Sequence, residues 1–401
     1  MEPDVDTGRV DSTDTDGGDP NVPRGRLTVV VRVADEDTAM SRAVGLDPAA
    51  VAGVRIVVRR VGSGSYEQVT GMQGMADFPG LLYGPWTLSA TRALTDDERH
   101  ALPADAEDVT AFGGGATHTV ARGVDTIIVR IRTGRQGTVV ISEIFGYIPR
   151  TPSGLLYYTG HYIELFNNGF TTEYLDGMLL GLTYNTTQET QSTTCDQAAR
   201  WRLDSLGIWT QYVYRFPGNG TSYPLAPGVR VIIATDAIDH RAFVPELLDL
   251  SGASFEFLGS ADVDNPSVPN MISVGGLEWA QALGHGLYVS PIEPKFFIAA
   301  PVSLDTLPRE VNLAGQEHVR IPRGAILDVV TSRLTPELDA SSPSIRCEQI
   351  VHPVFDEQPA RLHDNTRLQS LARRVASAVV RVIYQRTRNS LADLETAAPS
   401  P

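Results

Sequence analysis

The chain has 401 residues, 42% of them apolar, with 36 glycines, 26 prolines and a formal charge of -15. That length allows two or three domains, the Gly and Pro content suits a turn-rich β protein, and no apolar run approaches the roughly 18 to 20 residues of a membrane-spanning helix. The excess of acid repels phosphate backbones and argues against nucleic acid as a partner, and Lys295, the one lysine among 33 basic residues, reflects compositional bias.

Residues 1–24 hold seven Asp or Glu among Gly, Ser and Thr, with no apolar anchor before Leu27. A segment this poor in apolar surface cannot bury enough to offset its chain entropy, so a disordered acidic tether is expected. Such tethers follow the lipidated cysteine of bacterial surface lipoproteins. The expectation is a lipid anchor upstream of Met1 as the only contact with a membrane.

Two β-branched runs follow, residues 27–33 (LTVVVRV) and 54–61 (VRIVVRRV), whose interleaved arginines mark strands covered mainly on one face. Farther on, Gly74, Ala76, Phe78, Leu81, Gly84, Trp86 and Leu88 stand at the spacing of carboxypeptidase-regulatory-like and transthyretin-like sandwiches, with Trp86 where a Tyr is usual. The resemblance implies a β-sandwich over residues 25–134, with Phe78 and Trp86 in its core and no activity of its own. Residues 96–106 read as a helical turn or loop insertion, Gly113 to Gly115 as a hairpin end, and 124–132 (VDTIIVRIR) as the closing strand.

Residues 137–184 present three apolar runs of strand length separated by Pro-, Gly-, Ser- and Asn-rich turns. VVISEI at 139–144, HYIELFNNG at 161–169, YLDGMLLG at 174–181 and PLAPGVRVIIA at 224–234 resemble the lamin-tail immunoglobulin-like sandwich as bacteria use it. FPGNG at 216–220, DAIDH at 236–240, DLS at 249–251 and DVDNPSVPN at 262–270 are similar to the bacterial domain of unknown function 4876 family of surface lipoproteins. Arg373, Arg374, Asn389, Ser390 and Asp393 match that family's later segments. The resemblance implies extracytoplasmic placement and service beside an outer-membrane transporter. It carries no established activity and no cofactor. The domain is expected over 135–390 with long insertions, including 185–202 and 259–276, and a frayed tail at 391–401.

In residues 161–166, Ile163 and Leu165 share one face and Tyr162, Glu164 and Phe166 the other, so this strand is expected at the centre of a sheet covered twice. Glu164 then needs an Arg or backbone donors. With Glu143 it is read as a structural buried acid, since no His or third acid stands at ligand spacing for a catalytic or metal pair. Asp262, Asp264 and Asn265 alternate like the opening of a calcium loop, although the Gly and distal Glu of that motif are missing and Pro266 and Pro269 stiffen the turn. These three are the candidate metal ligands. Trp201, Trp209 and Tyr212, in the densest aromatic group of the chain, are the candidate binding residues for a ligand groove or sugar face, with core packing as the alternative.

The histidines are scattered, and HExxH, GxSxG, GxxxxGK and GxGxxG are all missing, so no catalytic residue is named. Cys195 and Cys347, an even pair in an extracytoplasmic setting, are expected to form a disulfide. Residues 365–382 have helical spacing but run into β-branched VVRVIY; the expectation is a loop with one helical turn, then a strand over 378–386.

The expected protein is all-β: two β-sandwich domains behind an acidic tether, recognising its partner through loops at one end of a sandwich. Its expected role is a non-enzymatic binding or scaffold lipoprotein of the bacterial outer-membrane surface or periplasm, with an outer-membrane transporter as partner by family analogy. One rival is a metal-assisted extracellular hydrolase built on Glu143, Glu164 or the Asp262 region. The other is a nucleic-acid-binding lamin-tail module, which the charge disfavours.

Overall fold

The computed structural model describes residues 22–60, 64–106, 108–183, 201, 204–257, 259, 264–274, 289, 295–311, 317–333, 351–361, 368–378 and 381–401. The chain is all-β, as its alternation of apolar runs and turn residues predicts, and it divides into two compact units, the residues up to Gly134 and Arg135–Pro401. Residues 1–21 of the expected tether lie outside the described residues, and Arg24 already opens the first strand.

The first unit is one hydrogen-bonded array of seven strands around a single core. Arg24–Val33 supplies Leu27, Val29, Val31 and Val33 to that core, every second residue, as a pleated strand must. Ile56 and Val58 of Arg55–Arg59 and Trp86, Leu88 and Ala90 of Gly84–Ala93 join them from the far end of the array, which therefore folds over into a sandwich. Burying Phe78 or Trp86 contributes roughly 2 to 3 kcal/mol each. The indole N–H of Trp86 donates to Leu82 O at 2.8 Å, satisfying the one polar atom a Trp brings into a core.

Residues 96–106 open on a helix, Asp96–His100, started by a capping box of Thr95 and Glu98. Gly113 to Gly115 do not form a hairpin end. They lie inside the strand Val109–Val120, paired with Gly84–Ala93, and a Cβ on Gly114 would sit 2.1 Å from Arg130 O. The glycine lets two backbones approach closely.

The second unit stacks two six-stranded sheets. One runs, in spatial order, Phe255–Glu256, Arg230–Ala234, Tyr162–Asn167, Val139–Phe145, Ser370–Arg373, Leu394–Ala397. The other runs Ile272–Val274, Val213–Arg215, Leu179–Leu182, Lys295–Ala299, Ile326–Arg333, Ala360–Arg361. Val139, Ile141, Ile163 and Leu165 of the first meet Leu180, Phe296, Ile298 and Val330 of the second in one interior. Both sheets are covered on their outer faces too. Leu179, Phe297 and Val329 pack with Ile208, Val319 and Ile321 of a small three-stranded sheet, and Phe145 and Tyr162 pack with Val244, Leu247 and Leu250. Tyr162–Asn167 is accordingly buried at every position, as its doubly apolar pattern predicts.

The C-terminal region departs from expectation. Residues 370–373 form a strand where a loop was expected, residues 379 and 380 of the expected 378–386 strand lie outside the described residues, and the helical turn falls later, at Ser390–Asp393. The tail does not fray at 391–401, because Leu394–Ala397 pairs antiparallel with Ser370–Arg373 and Ser400 reaches the buried face of the sheet. The helical spacing of Leu368, Leu371 and Val375 competes here with a strand period that turns Leu371 and Arg373 inward together.

Candidate functional site

Glu143 and Glu164 are cross-strand neighbours on the outer face of their sheet, brought level by a bulge at Ser142. Both are buried, and each of their four carboxylate oxygens has a donor. Glu143 accepts from the Tyr162 hydroxyl at 2.7 Å and from the Ser400 amide at 3.1 Å and hydroxyl at 2.8 Å. Glu164 accepts from Ser142 Oγ at 2.7 Å and from the Arg230 guanidinium at 3.2 Å. Burial raises the Glu164 carboxyl and nearby Glu143 adds to this, against the opposing pull of Ser142 and Arg230. The same burial, then Glu143, raises the Tyr162 phenol. With the tail at Ser400 laid over it, the pair works as an anchor for the chain end.

The other sequence-based candidates do not converge. Asp262 lies outside the described residues, Asp264 Oδ1 accepts from the Asn270 side chain at 2.7 Å, and the Asn265 amide donates to Ala237 O at 2.8 Å. Among the described residues no group of three or more His, Cys, Asp or Glu is arranged to hold a metal ion. Trp201 and Trp209 are not the walls of a groove. They are buried, stacked at 5.4 Å, with their N–H groups given to Glu310 at 2.7 Å and Asp204 at 2.9 Å. Tyr212 is half-buried against the inter-sheet interior. Indoles whose polar atoms are answered from within serve packing. Cys195 and Cys347 both lie outside the described residues, as do all of the insertion 185–202 except Trp201, and residues 260–263, 275 and 276 of the insertion 259–276.

Sequence reasoning missed a buried polar core joining the two sheets. Asp328, on Ile326–Arg333, accepts the amide of Ile141 from the opposite sheet at 3.0 Å and pairs with the guanidinium groups of Arg373 and Arg386. Arg373 also donates to Ile141 O at 2.8 Å and to Gln385 O at 2.9 Å. Asp393 accepts from Thr387 N and Oγ1, each at 2.7 Å, and lies 3.6 Å from Arg373. Asp356 accepts from the Thr331 hydroxyl at 2.6 Å and from the Ser390 amide at 2.8 Å and hydroxyl at 2.6 Å. Burial raises Asp393, and burial pushes Asp356 up to about 7. The matching residues Arg373 and Asp393 thus meet in one structural network and Ser390 belongs to the Asp356 group, with Asn389 capping the short helix through Ala392 N at 3.1 Å.

Two further motifs prove to be one unit. Asp176 of the Leu-Asp-Gly turn accepts the amides of Gly220, Ser222 and Tyr223 at 2.8 to 3.0 Å, pinning the FPGNG loop. Burial works to raise its carboxyl, but these donors outweigh it and hold the group at about 2. Gly218, at φ +109°, sits where a Cβ would come 2.1 Å from Asp176 Oδ1.

Three loops gather at one end of the first sheet, beyond the paired row Phe145, Tyr162 and Ala234. They are residues 146–161, 235–254 and 264–271. Glu256, fully buried, ties two of them by accepting Ala237 N at 2.9 Å and Asn265 N at 3.1 Å. His240, also buried, gives Nε2–H to Asp236 O at 2.9 Å; in the neutral ring this leaves Nδ1 to accept from the Tyr157 hydroxyl at 2.8 Å. Burial lowers His240 and brings neighbouring His161 down to about 4, so both rings stay neutral above mild acid. Tyr157, fixed in this way, stacks on Phe243 at 5.6 Å and 22°, and Phe243 is 50% exposed.

Residues 226–400 match the family described as protein of unknown function (DUF4876), the family that the motifs within 216–270 resemble. A DUF4876 family protein from Bacteroides thetaiotaomicron is similar in structure: 18% identity, 94% of this chain and 96% of that chain covered, TM-score 0.56. At this identity the likeness speaks for a shared fold. A DUF3823 family protein from Bacteroides uniformis aligns at 10% identity over 78% of this chain and 99% of that chain with a TM-score of 0.16, too low to carry an argument. Comparison with curated proteins gives no match.

Proposed function

We propose that this chain, with a DUF4876 match over its C-terminal part, is a non-enzymatic binding or scaffold protein of the bacterial cell surface. It is held there by a lipid anchor through its acidic tether and is accessory to an outer-membrane transporter. One observation carries the reading: Phe243 stands half exposed on a partly buried Tyr157, on loops braced from beneath by His240 and Glu256. An exposed aromatic held by buried hydrogen bonds is an ordering cost that recognition explains and core stability does not. Support also comes from the buried acids, whose hydrogen bonds hold sheets and loops together. The placement and the transporter rest on the resemblance to surface lipoproteins.

Co-purification from native membrane extract tests this. A β-barrel membrane protein should accompany the full-length chain in stoichiometric amount. Elution as a free monomer from the same extract would contradict the reading.

A further inference from the structure

We propose that Phe243, together with the Asp239–Arg241–Asp249 triad, forms a subsite for a neutral saccharide ring. The inference rests on the surface-binding reading above and names its ligand class.

Asp239, Arg241 and Phe243 lie on and beside a single short turn, His240–Ala242, within five residues of one another. Phe243 rests on Tyr157 and is half exposed, leaving ring surface open to solvent. The C–H face of a pyranose is apolar and flat, and such a ring face is its natural counterpart.

The triad suits the hydroxyl rim of the same sugar. Arg241 donates Nε to Asp239 Oδ1 at 2.7 Å and one terminal nitrogen to Asp239 Oδ2 and Asp249 Oδ2, each at 2.8 Å. Its other terminal nitrogen, with two N–H groups, has no partner among the described residues, and the Arg241 side chain is 53% exposed. Asp239 Oδ1 also accepts the Arg241 amide at 3.1 Å, so an unused lone pair remains only on Oδ2 of each carboxylate, since each oxygen can accept twice. One free donor nitrogen of Arg241 therefore stands beside two acceptor oxygens, the pairing that vicinal hydroxyl groups need. Asp249 is fixed in turn by the Ser251 amide at 3.1 Å and hydroxyl at 2.6 Å.

Other ligand classes fit less well. A cationic ligand would want carboxylates not already neutralised by a guanidinium and more than one aromatic wall around its charge. An anion would face two carboxylates against one arginine.

The test is a panel of immobilised neutral polysaccharides and oligosaccharides probed with the full chain, with Phe243→Ala and with Arg241→Ala, alongside capture from native surface extract with the same proteins. Both side chains are exposed, and far-ultraviolet circular dichroism and unfolding midpoints check that the variants fold. The proposal expects at least one neutral glycan to bind, with affinity falling roughly tenfold or more in each variant. Glycan binding that survives both substitutions overturns the subsite. If no glycan binds while a captured protein is lost with Phe243→Ala, the saccharide inference fails and the surface-binding reading stands. If no glycan binds and capture is unaffected, the saccharide inference fails and so does the role given to this loop end.

Discussion

Replacing Arg373 with Met should destabilise the second unit by about 3 to 5 kcal/mol. Arg373 and Asp328 are each almost fully buried, between sheets whose remaining contacts are apolar. Removing the guanidinium leaves Asp328 with less compensation, and it orphans Ile141 O and Gln385 O, which the same side chain serves. An unpaired buried charge costs far more than the pair gives net of desolvation. For that reason the double variant Arg373→Met with Asp328→Leu should recover part of the loss; recovery stays partial because Arg386 and the Ile141 amide also depend on Asp328. Denaturant unfolding of the full chain measures both. Equal midpoints for wild type and Arg373→Met would show that the clamp contributes nothing.

The second large effect is a pH dependence carried by Asp356. Its carboxyl is pushed from 3.8 to about 7 by burial, which outweighs the donors on Thr331 and Ser390. The folded chain therefore holds a proton that the unfolded chain has released, so this residue's contribution is full below 3.8 and is lost as pH rises through about 7. The total is no more than about 4 kcal/mol. Asp356→Asn keeps the shape and removes the titration. The difference between wild-type and variant stability should fall steadily from pH 4 to pH 7.5, while slopes from Asp393, Glu164 and the neutral histidines cancel. A difference that stays level across that range would mean that Asp356 is ionised throughout.

How much of this was legible in the sequence depended on distance along the chain. Alternation in residues 27–33 and 161–166 specifies strands because the period-2 pattern is local, and Gly74, with φ +68°, marks a turn by its own conformational freedom. The acids at 143 and 164 could be read as buried because their strands are apolar on both faces. The clamp could not be read. Arg373 meets Asp328 and Ile141 only after both sheets have formed, and an Arg within SLARRVAS, at helical spacing from its apolar neighbours, looks like one more face of a helix. The loop end was equally hidden: nothing in residues 236–243 shows that His240 is neutral and braces Tyr157, because its partners come from another loop and from a backbone carbonyl. Trp201 and Trp209 misled for the opposite reason, since aromatic density in a sequence does not say which rings have their polar atoms answered inside.

The central claim is that the C-terminal residues lock the two stacked sheets of the second unit. Amide hydrogen exchange on the full chain tests it most directly, through peptides covering residues 139–145, 162–167 and 370–397. The account predicts that Ile141, Ser390 and the alternate amides of Leu394–Ala397 that face Ser370–Arg373 exchange as slowly as Ile163 and Leu165 at the centre of the sheet. Rapid exchange throughout 370–397 beside protected central strands would contradict it.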